Sequence, residues 1–415
     1  MRYDVIVVGA GPAGSTTARE CASRGLSVLM LDKAEFPRDK PCGGALTARV
    51  GDLLPFELTP VVERVIYGMR LSMKRASAFD RRSSKEIAYI TQRRHLDAFL
   101  VEQAIGAGVS LREKAPIREV ERYPSHFAVR AGDECYTGAT LVAADGANGA
   151  TAKLAGVDVG LTLGVAFEGN VTPPGRFPEM WEDALGLEVG DIPGGYGWLF
   201  PKNDHVNIGL GGWKYVGPSL KARLDELVRF YGFDPADLWG LRGHHLPLRH
   251  RTSPLVDGNM LLVGDAAGLL DPMTGEGIFT AIWSGISAAK HLTAYLGEET
   301  HDLDGYRRDV ETGLLPDLRV SRQFHDLFHL TPGFYFSVER RTSIMWRLLC
   351  RLFRGEQTYA GMMLKHPAVA TTIDFISDLV RVTPALQRKA GLRDPAPPER
   401  FFQRSANHHH AHPQL

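Results

Sequence analysis

The chain has 415 residues, more than one typical domain requires, so two or three lobes are expected. Apolar residues make up 44% and charged residues 23%, ordinary values for a soluble globular enzyme, and a formal net charge of zero removes the usual electrostatic case for nucleic acid. Cys21, Cys42, Cys135 and Cys350 lack zinc or CxxC spacing and read as reduced thiols of a cytoplasmic protein; a first strand starting at Tyr3 leaves no room for a signal peptide, and no apolar run of about 18 residues predicts a spanning helix.

The strand Asp4-Val5-Ile6-Val7-Val8 runs directly into Gly9-Ala10-Gly11-Pro12-Ala13-Gly14. A helical pattern follows, then the apolar run Ser27-Val28-Leu29-Met30-Leu31, ending in Asp32 and Lys33. Glycines at GxGxxG spacing, two strands, a helix and an acid about 20 residues on make a complete dinucleotide-binding βαβ unit. Gly9 allows the tight turn, Gly11 lets the backbone approach a pyrophosphate, and Gly14 lets helix and sheet pack closely. Ala13 shares this turn, and the helix start offers free N–H groups to phosphate. Asp32 can accept hydrogen bonds from ribose hydroxyls, with Lys33 beside it as a further cofactor candidate.

Residues 36–50 read as a loop carrying Arg38, Lys40 and Cys42-Gly43-Gly44. Residues 60–90 read as short strands and 91–107 as a helix with Leu96, Phe99 and Leu100 at helical spacing. Strands follow at 127–129 and 140–144, the second ending in Asp145-Gly146. Strand-like segments fill 164–212, a helix covers 220–231, and the strand 259–263 enters Gly264-Asp265. After Gly275 a helix runs from Ile278 to Leu296, and the remainder is mainly helical. Glycine after a strand thus occurs at Gly9, Gly146 and Gly264. One nucleotide site would need all three, with the intervening chain inserted as another domain.

Four ordered motifs carry a resemblance to the two-domain flavoproteins of para-hydroxybenzoate hydroxylase type: the N-terminal glycines, Arg93-x-x-Leu96-Asp97, Ala144-Asp145-Gly146-Ala147-Asn148 and Gly264-Asp265-Ala266-Ala267-Gly268. Three more segments resemble the geranylgeranyl reductase family: Lys40-Pro41-Cys42-Gly43-Gly44-Ala45, Gly195-Tyr196-Gly197-Trp198-Leu199-Phe200-Pro201-Lys202, and Asp271-Pro272-Met273-Thr274-Gly275-Glu276-Gly277-Ile278. The resemblance implies an α/β fold: a Rossmann-like FAD-binding domain from 1–50, 91–155 and 255–300, an inserted mixed β-sheet substrate domain from 51–90 and 156–254, and a helical C-terminal region over 301–395. Residues 396–415, with His408, His409, His410 and His412, read as a disordered tail rather than a metal site. One departure stands out. The serine and arginine that usually follow the Asp-Gly pair are replaced by Gly149 and Ala152, which puts that arginine's cofactor contact in doubt although Lys153 is adjacent.

Asp265 follows a strand end, where a carboxylate would meet the ribityl or pyrophosphate part of FAD. Gly264, Pro272, Gly275, Gly277 and Ile278 would bring N–H groups and a helix start to the flavin ring. Arg93 reads as a phosphate or ribityl contact or else a surface arginine, with Arg38 a weaker candidate and Asp145 and Gly146 completing the cofactor set. The resemblance puts Cys42 and Gly43 near the flavin, where the thiol either donates a proton or only shapes the pocket. Tyr196 and Trp198 alternate on a strand and so face one side, as a substrate channel or as plain sheet core. The segment Arg340–Arg354, with Trp346 and with Arg347, Arg351 and Arg354 on one face, reads as a membrane-surface helix or as a helix packed on the protein.

The implied activity is FAD-dependent saturation of carbon–carbon double bonds in an isoprenoid chain, using NADPH or another reductant as electron donor. Cys42, Tyr196 and Trp198 are the catalytic candidates, no metal is expected, and a peripheral contact with the inner face of the membrane is compatible with a lipid substrate. The competing readings are a flavin monooxygenase or halogenase, against which Tyr196 and Phe200 stand where a tryptophan-type halogenase favours Trp and Ile, and a non-catalytic flavin or lipid carrier.

Overall fold

The computed structural model describes residues 2–173, 175 and 179–392; the tail with its four histidines lies outside them. Arg2–Val8 sits in the middle of an eight-stranded sheet. Val5, Ile6 and Val7 are fully buried, each contributing about 1.5–3 kcal/mol of burial free energy. Val28–Leu31 pairs with it in parallel on one side and Glu134–Ala143 on the other, so Val8 lies opposite both Leu31 and Ala143. Met260–Leu262 continues the parallel set, with Leu262 opposite Ala143. Three strands therefore end side by side, and the segments opened by Gly9, Gly146 and Gly264 leave from one sheet edge.

The glycine turn is sterically determined. A Cβ on Gly9, at φ +97°, would stand 2.4 Å from the Ala144 oxygen; one on Gly14 would stand 1.8 Å from the Gly9 oxygen. Helix Pro12–Ser23 is thereby drawn onto the sheet, and helix Ile278–Leu296 packs against it.

A seven-stranded sheet forms the second layer, in the order Trp239–Arg249, Leu161–Val171, Val206–Trp213, Tyr196–Pro201, Ala184–Val189, Gly68–Met73 and Ser77–Arg82. Only the pair Ala184–Val189 with Gly68–Met73 is parallel, which makes this sheet mixed. On strand Tyr196–Pro201, Leu199 packs with Leu224 and Leu227 of helix Leu220–Phe230 in one cluster. Trp198 and Phe200 belong to a different cluster, with Tyr196 packed against it, so the predicted alternation holds.

The structure departs from the sequence reading at two places. The loop expected over 36–50 stops at Gly44, because Ala45–Thr47 pairs with Ala88–Ile90, which also pairs Arg64–Ile66. A three-residue strand is too short to reveal its alternation. The single helix expected over 340–354 is two, Pro332–Thr342 and Ile344–Phe353, broken at Ser343 with φ 55°. The rest of the C-terminal region is helical as expected, with Leu315–Leu330, Tyr359–Lys365 and Pro367–Val382 its longer elements.

Candidate active site

A cavity of about 820 Å³ runs between the sheet edge, the second sheet and the C-terminal helices. Gly11, Ala13, Arg93, Gly146 and Asp265 line one end. Cys42, Gly43, Tyr196, Trp198 and the segment Pro272–Ile278 line the middle. The far end is walled by Phe324, Phe336, Trp346, Leu349, Met362 and Met363.

The first end has the character of an anion cradle. Gly11 starts helix Pro12–Ser23, and no side chain caps that helix. A Cβ on Gly11 would approach nothing but the guanidinium ends of Arg38 and Arg93, at 3.7 and 3.9 Å. Arg93 makes two 2.7 Å hydrogen bonds to fully buried Asp97, and Arg38 reaches the same carboxylate at 3.0 Å. Burial opposes the Arg93 charge, but Asp97 and the Cys42 side chain outweigh it and hold the guanidinium above its ordinary range. Lys40 lies 4.0 Å from Asp265; burial and then Arg93 push its ammonium down. His244 also faces the cavity with a buried, unpartnered Nε2; burial, then the Lys40 charge, pulls its imidazole down to about 4. Open backbone N–H groups, arginines and an unsatisfied polar nitrogen are what a dinucleotide pyrophosphate would engage, so the residues present fit FAD.

The cysteine loop is pinned from below. Lys202, 2% exposed, donates from Nζ to the Gly43 oxygen at 2.5 Å and the Thr91 oxygen at 2.7 Å. Burial pulls this ammonium down to about 8. Glu168, raised by burial, accepts the Cys42 N–H at 2.8 Å. The Gly44 N–H points at Cys42 Sγ, 3.4 Å away. Gly43 is needed for close approach: a Cβ there would stand 2.5 Å from the Phe200 ring. Trp198 is held in turn by its indole N–H, which donates to Asn207 Oδ1 at 2.7 Å.

The segment 271–277 is equally fixed. Asp271 Oδ1 accepts from the Met273 and Thr274 N–H groups and from Ser321 Oγ at 2.9, 3.0 and 2.6 Å. Glu276 accepts from Thr47 and Arg49, and the Tyr196 hydroxyl donates to the Thr274 oxygen. Helix Ile278–Leu296 begins there without a side-chain cap and aims its N-terminus at the cavity.

Not every sequence candidate lines the cavity. Gly9, Gly14 and Gly264 act in the turns behind it. Asp32 Oδ2 accepts the Ala10 N–H at 2.7 Å and so holds the glycine turn, while its Oδ1 accepts the Ala34 N–H at 2.8 Å two residues on. Asp145 accepts from the Ala150 and Thr151 N–H groups and from Thr151 Oγ1, and a Cβ on Gly149 would clash with it; this carboxylate caps the short helix Thr151–Leu154. Lys33 is exposed at the strand end. Trp346, expected at a membrane surface in one reading, is 7% exposed, with its indole N–H bonded to the Arg82 oxygen; it walls the cavity because the helix packs inward. The sequence reading missed Glu168, Lys202 and His244. Lys202 had a signal, as the last residue of the aromatic motif, and Glu168 had a weaker one, as an acid inside an apolar strand.

The fold and site define an FAD-dependent oxidoreductase, and residues 2–188 match the FAD binding domain family. The chain is 32% identical over 315 residues to the menaquinone reductase of Mycolicibacterium smegmatis, covering 71% of this chain and 77% of that protein. It is 30% identical over 416 residues to the chloroplastic geranylgeranyl diphosphate reductase of Arabidopsis thaliana, covering 94% and 86%. The chain belongs to the geranylgeranyl reductase family. A solved geranylgeranyl bacteriochlorophyll reductase-like protein from Thermoplasma acidophilum superposes with a TM-score of 0.70 at 25% identity, covering 78% of this chain and 88% of that one. A flavin-dependent brominase shares the fold with a TM-score of 0.70 at 20% identity.

Proposed function

We propose that the enzyme saturates carbon–carbon double bonds in a prenyl chain, with NADPH or another external donor supplying electrons. The observation that carries this reading is the continuity of the cavity: from Cys42 and Trp198 it extends, walled by aliphatic, Met and aromatic side chains, beneath the C-terminal helices. A polyisoprene offers only apolar surface, and such a channel is what would orient it. The relatives are named for geranylgeranyl diphosphate and menaquinone, both isoprenoid lipids.

FAD, when bound and reduced, supplies a hydride. Gly11, Arg38 and Arg93 would hold its pyrophosphate, with Gly146 and Asp265 beside them. The helix start at Gly277 would favour negative charge on the neighbouring ring. Trp198 and Tyr196 would seat the alkene and exclude water from it. Cys42 would give its thiol proton to the second alkene carbon, leaving a thiolate that faces Arg93 and regains a proton from solvent. Hydride and proton together add two hydrogens across one double bond.

The test is anaerobic. FAD-loaded enzyme is reduced with dithionite and mixed with geranylgeranyl diphosphate or menaquinone, and products are read by mass. A gain of two hydrogens per bond without oxygen supports the reading. A product that forms only with oxygen would sustain monooxygenase or halogenase chemistry instead.

A further inference from the structure

The far half of the cavity has a regular floor. Alternate residues of neighbouring strands face it, and the register sets them in two rows. Trp198 lies opposite Leu187, Leu187 opposite Leu71, and Leu71 opposite Phe79. In the next row, Leu185 lies opposite Met69 and Met69 opposite Arg81. All of these residues line the cavity. From Trp198 to Phe79 the row crosses three strand spacings of about 4.8 Å, about 14 Å in all. The floor therefore starts at the aromatic strand and ends beside a cation on the edge strand Ser77–Arg82. Among the described residues, the other lysines and arginines lining the cavity are Lys40 and Arg93, at the cofactor end, and Arg242, on the opposite edge strand of the same sheet.

A charge in an apolar wall is costly unless it is compensated. Arg81 Nε donates to Glu339 Oε1 at 2.9 Å, and Nη2 donates to the Glu339 main-chain oxygen. Glu339 also lines the cavity, and its other carboxylate oxygen accepts the Trp346 N–H at 3.0 Å, in the first turn of helix Ile344–Phe353. Arg81 Nη1 donates to the Asp80 oxygen at 3.2 Å, so three of the five guanidinium N–H groups are engaged and two remain. The pair is thus electrically neutral and still a donor. Aromatic rings flank it: the guanidinium lies 4.7 Å from the centroid of the Phe79 ring, and Phe79 meets Phe336 at 5.0 Å. This end of the cavity suits one kind of head group. A diphosphate would bring charges that an already paired arginine does not neutralise. A flat, uncharged ring bearing carbonyl oxygens needs a donor and aromatic faces, and both are present.

We propose that Arg81, positioned by Glu339, and the Phe79–Phe336 pair seat the carbonyl-bearing ring of a prenylquinone, whose chain then runs along the floor to Trp198 and Cys42. The span from this seat to the cofactor end decides which double bond is reduced. The inference rests on the proposed reading in taking the cavity as a prenyl channel, and adds that the channel reads the head group as well as the chain.

The test uses FAD-loaded full chain. Arg81→Gln with Glu339→Gln keeps a neutral, hydrogen-bonding pair with fewer donors, and Phe79→Leu removes the ring while leaving the pair. Arg70→Gln, on the neighbouring strand and outside the cavity lining, is the control. Menaquinone binding to the oxidised enzyme is read by quenching of tryptophan emission. Each seat variant should bind about tenfold more weakly than wild type, and the control should match wild type. In anaerobic single turnover the half-saturating menaquinone concentration should rise by the same factor. In deuterium oxide the proton half of the addition labels one carbon. Wild type should place that label at one position along the chain, and the seat variants should spread it over several. Unchanged menaquinone binding in both seat variants, or a label already spread in wild type, would overturn the seat and leave the reductase reading standing. Weakened binding in both, with no alkene reduction by wild type, would sustain the seat and overturn that reading. Loss of geranylgeranyl diphosphate binding with menaquinone unaffected would assign Arg81 to an anionic head group and overturn the neutral-ring seat.

Discussion

Replacing Lys202 by Met tests whether the cysteine loop is held from beneath. The variant removes two charge-assisted hydrogen bonds, to the Gly43 and Thr91 oxygens. At about 1.5–3 kcal/mol each, their loss costs about 3–6 kcal/mol. Burial also lowers this ammonium from 10.5 to about 8, a drop worth about 3 kcal/mol that methionine does not carry. The two effects oppose each other, so the net loss of stability at neutral pH should be modest, about 0–3 kcal/mol. The loop itself should loosen far more, because Gly43 loses its tether. Urea unfolding gives the stability, and iodoacetamide labelling with peptide mapping gives the accessibility of Cys42, which should rise severalfold. The pH dependence follows with its sign. The folded lysine releases its proton at about 8 while the unfolded one keeps it to 10.5, so between these values the unfolded state binds more protons. Wild-type stability should therefore rise with pH across that window relative to Lys202→Met, by up to about 3 kcal/mol. A difference that stays flat from pH 7 to pH 10, together with unchanged Cys42 labelling, would refute the reasoning.

Gly11→Val should abolish flavin binding while leaving the fold intact, since its side chain would enter the cradle between Arg38 and Arg93; flavin absorbance of the purified variant reads this directly. Asp265→Ala should weaken FAD binding more than Asp302→Ala, because only the former lines the cavity; equal flavin retention would count against the assignment. Cys42→Ser should keep the flavin but slow single-turnover alkene reduction or change the number of bonds saturated, since serine preserves size and is a much weaker acid. Unchanged rate and product pattern would reduce Cys42 to a pocket-lining residue.

The dinucleotide unit was legible because steric demands are written in residue type: Gly9 and Gly14 occupy positions where a Cβ would collide with backbone. The three strand-end glycines were legible as one site because parallel neighbours must end together. What each acid does there was harder to read. Asp32 and Asp145 sit at strand ends as expected, and each also accepts main-chain N–H groups of its local turn, bonds that sequence does not reveal. The cavity under the C-terminal helices was not legible at all. Trp346, Leu349 and Met362 have the same spacing whether they meet a neighbouring helix or a channel. The break at Ser343 was equally hidden, since it lies in a left-handed conformation that serine does not advertise. Lys202 escaped because its function depends on partners, Gly43 and Thr91, that lie 159 and 111 residues away.

The central claim is that the cavity presents a prenyl double bond for oxygen-independent reduction. Mass analysis of an anaerobic single turnover, with dithionite-reduced, FAD-loaded enzyme and geranylgeranyl diphosphate, tests it most directly. The account predicts flavin reoxidation in step with a product heavier by two hydrogens per bond reduced, and slower reoxidation in Cys42→Ser. Flavin that stays reduced with both geranylgeranyl diphosphate and menaquinone, and reoxidises only when oxygen is admitted, would contradict it.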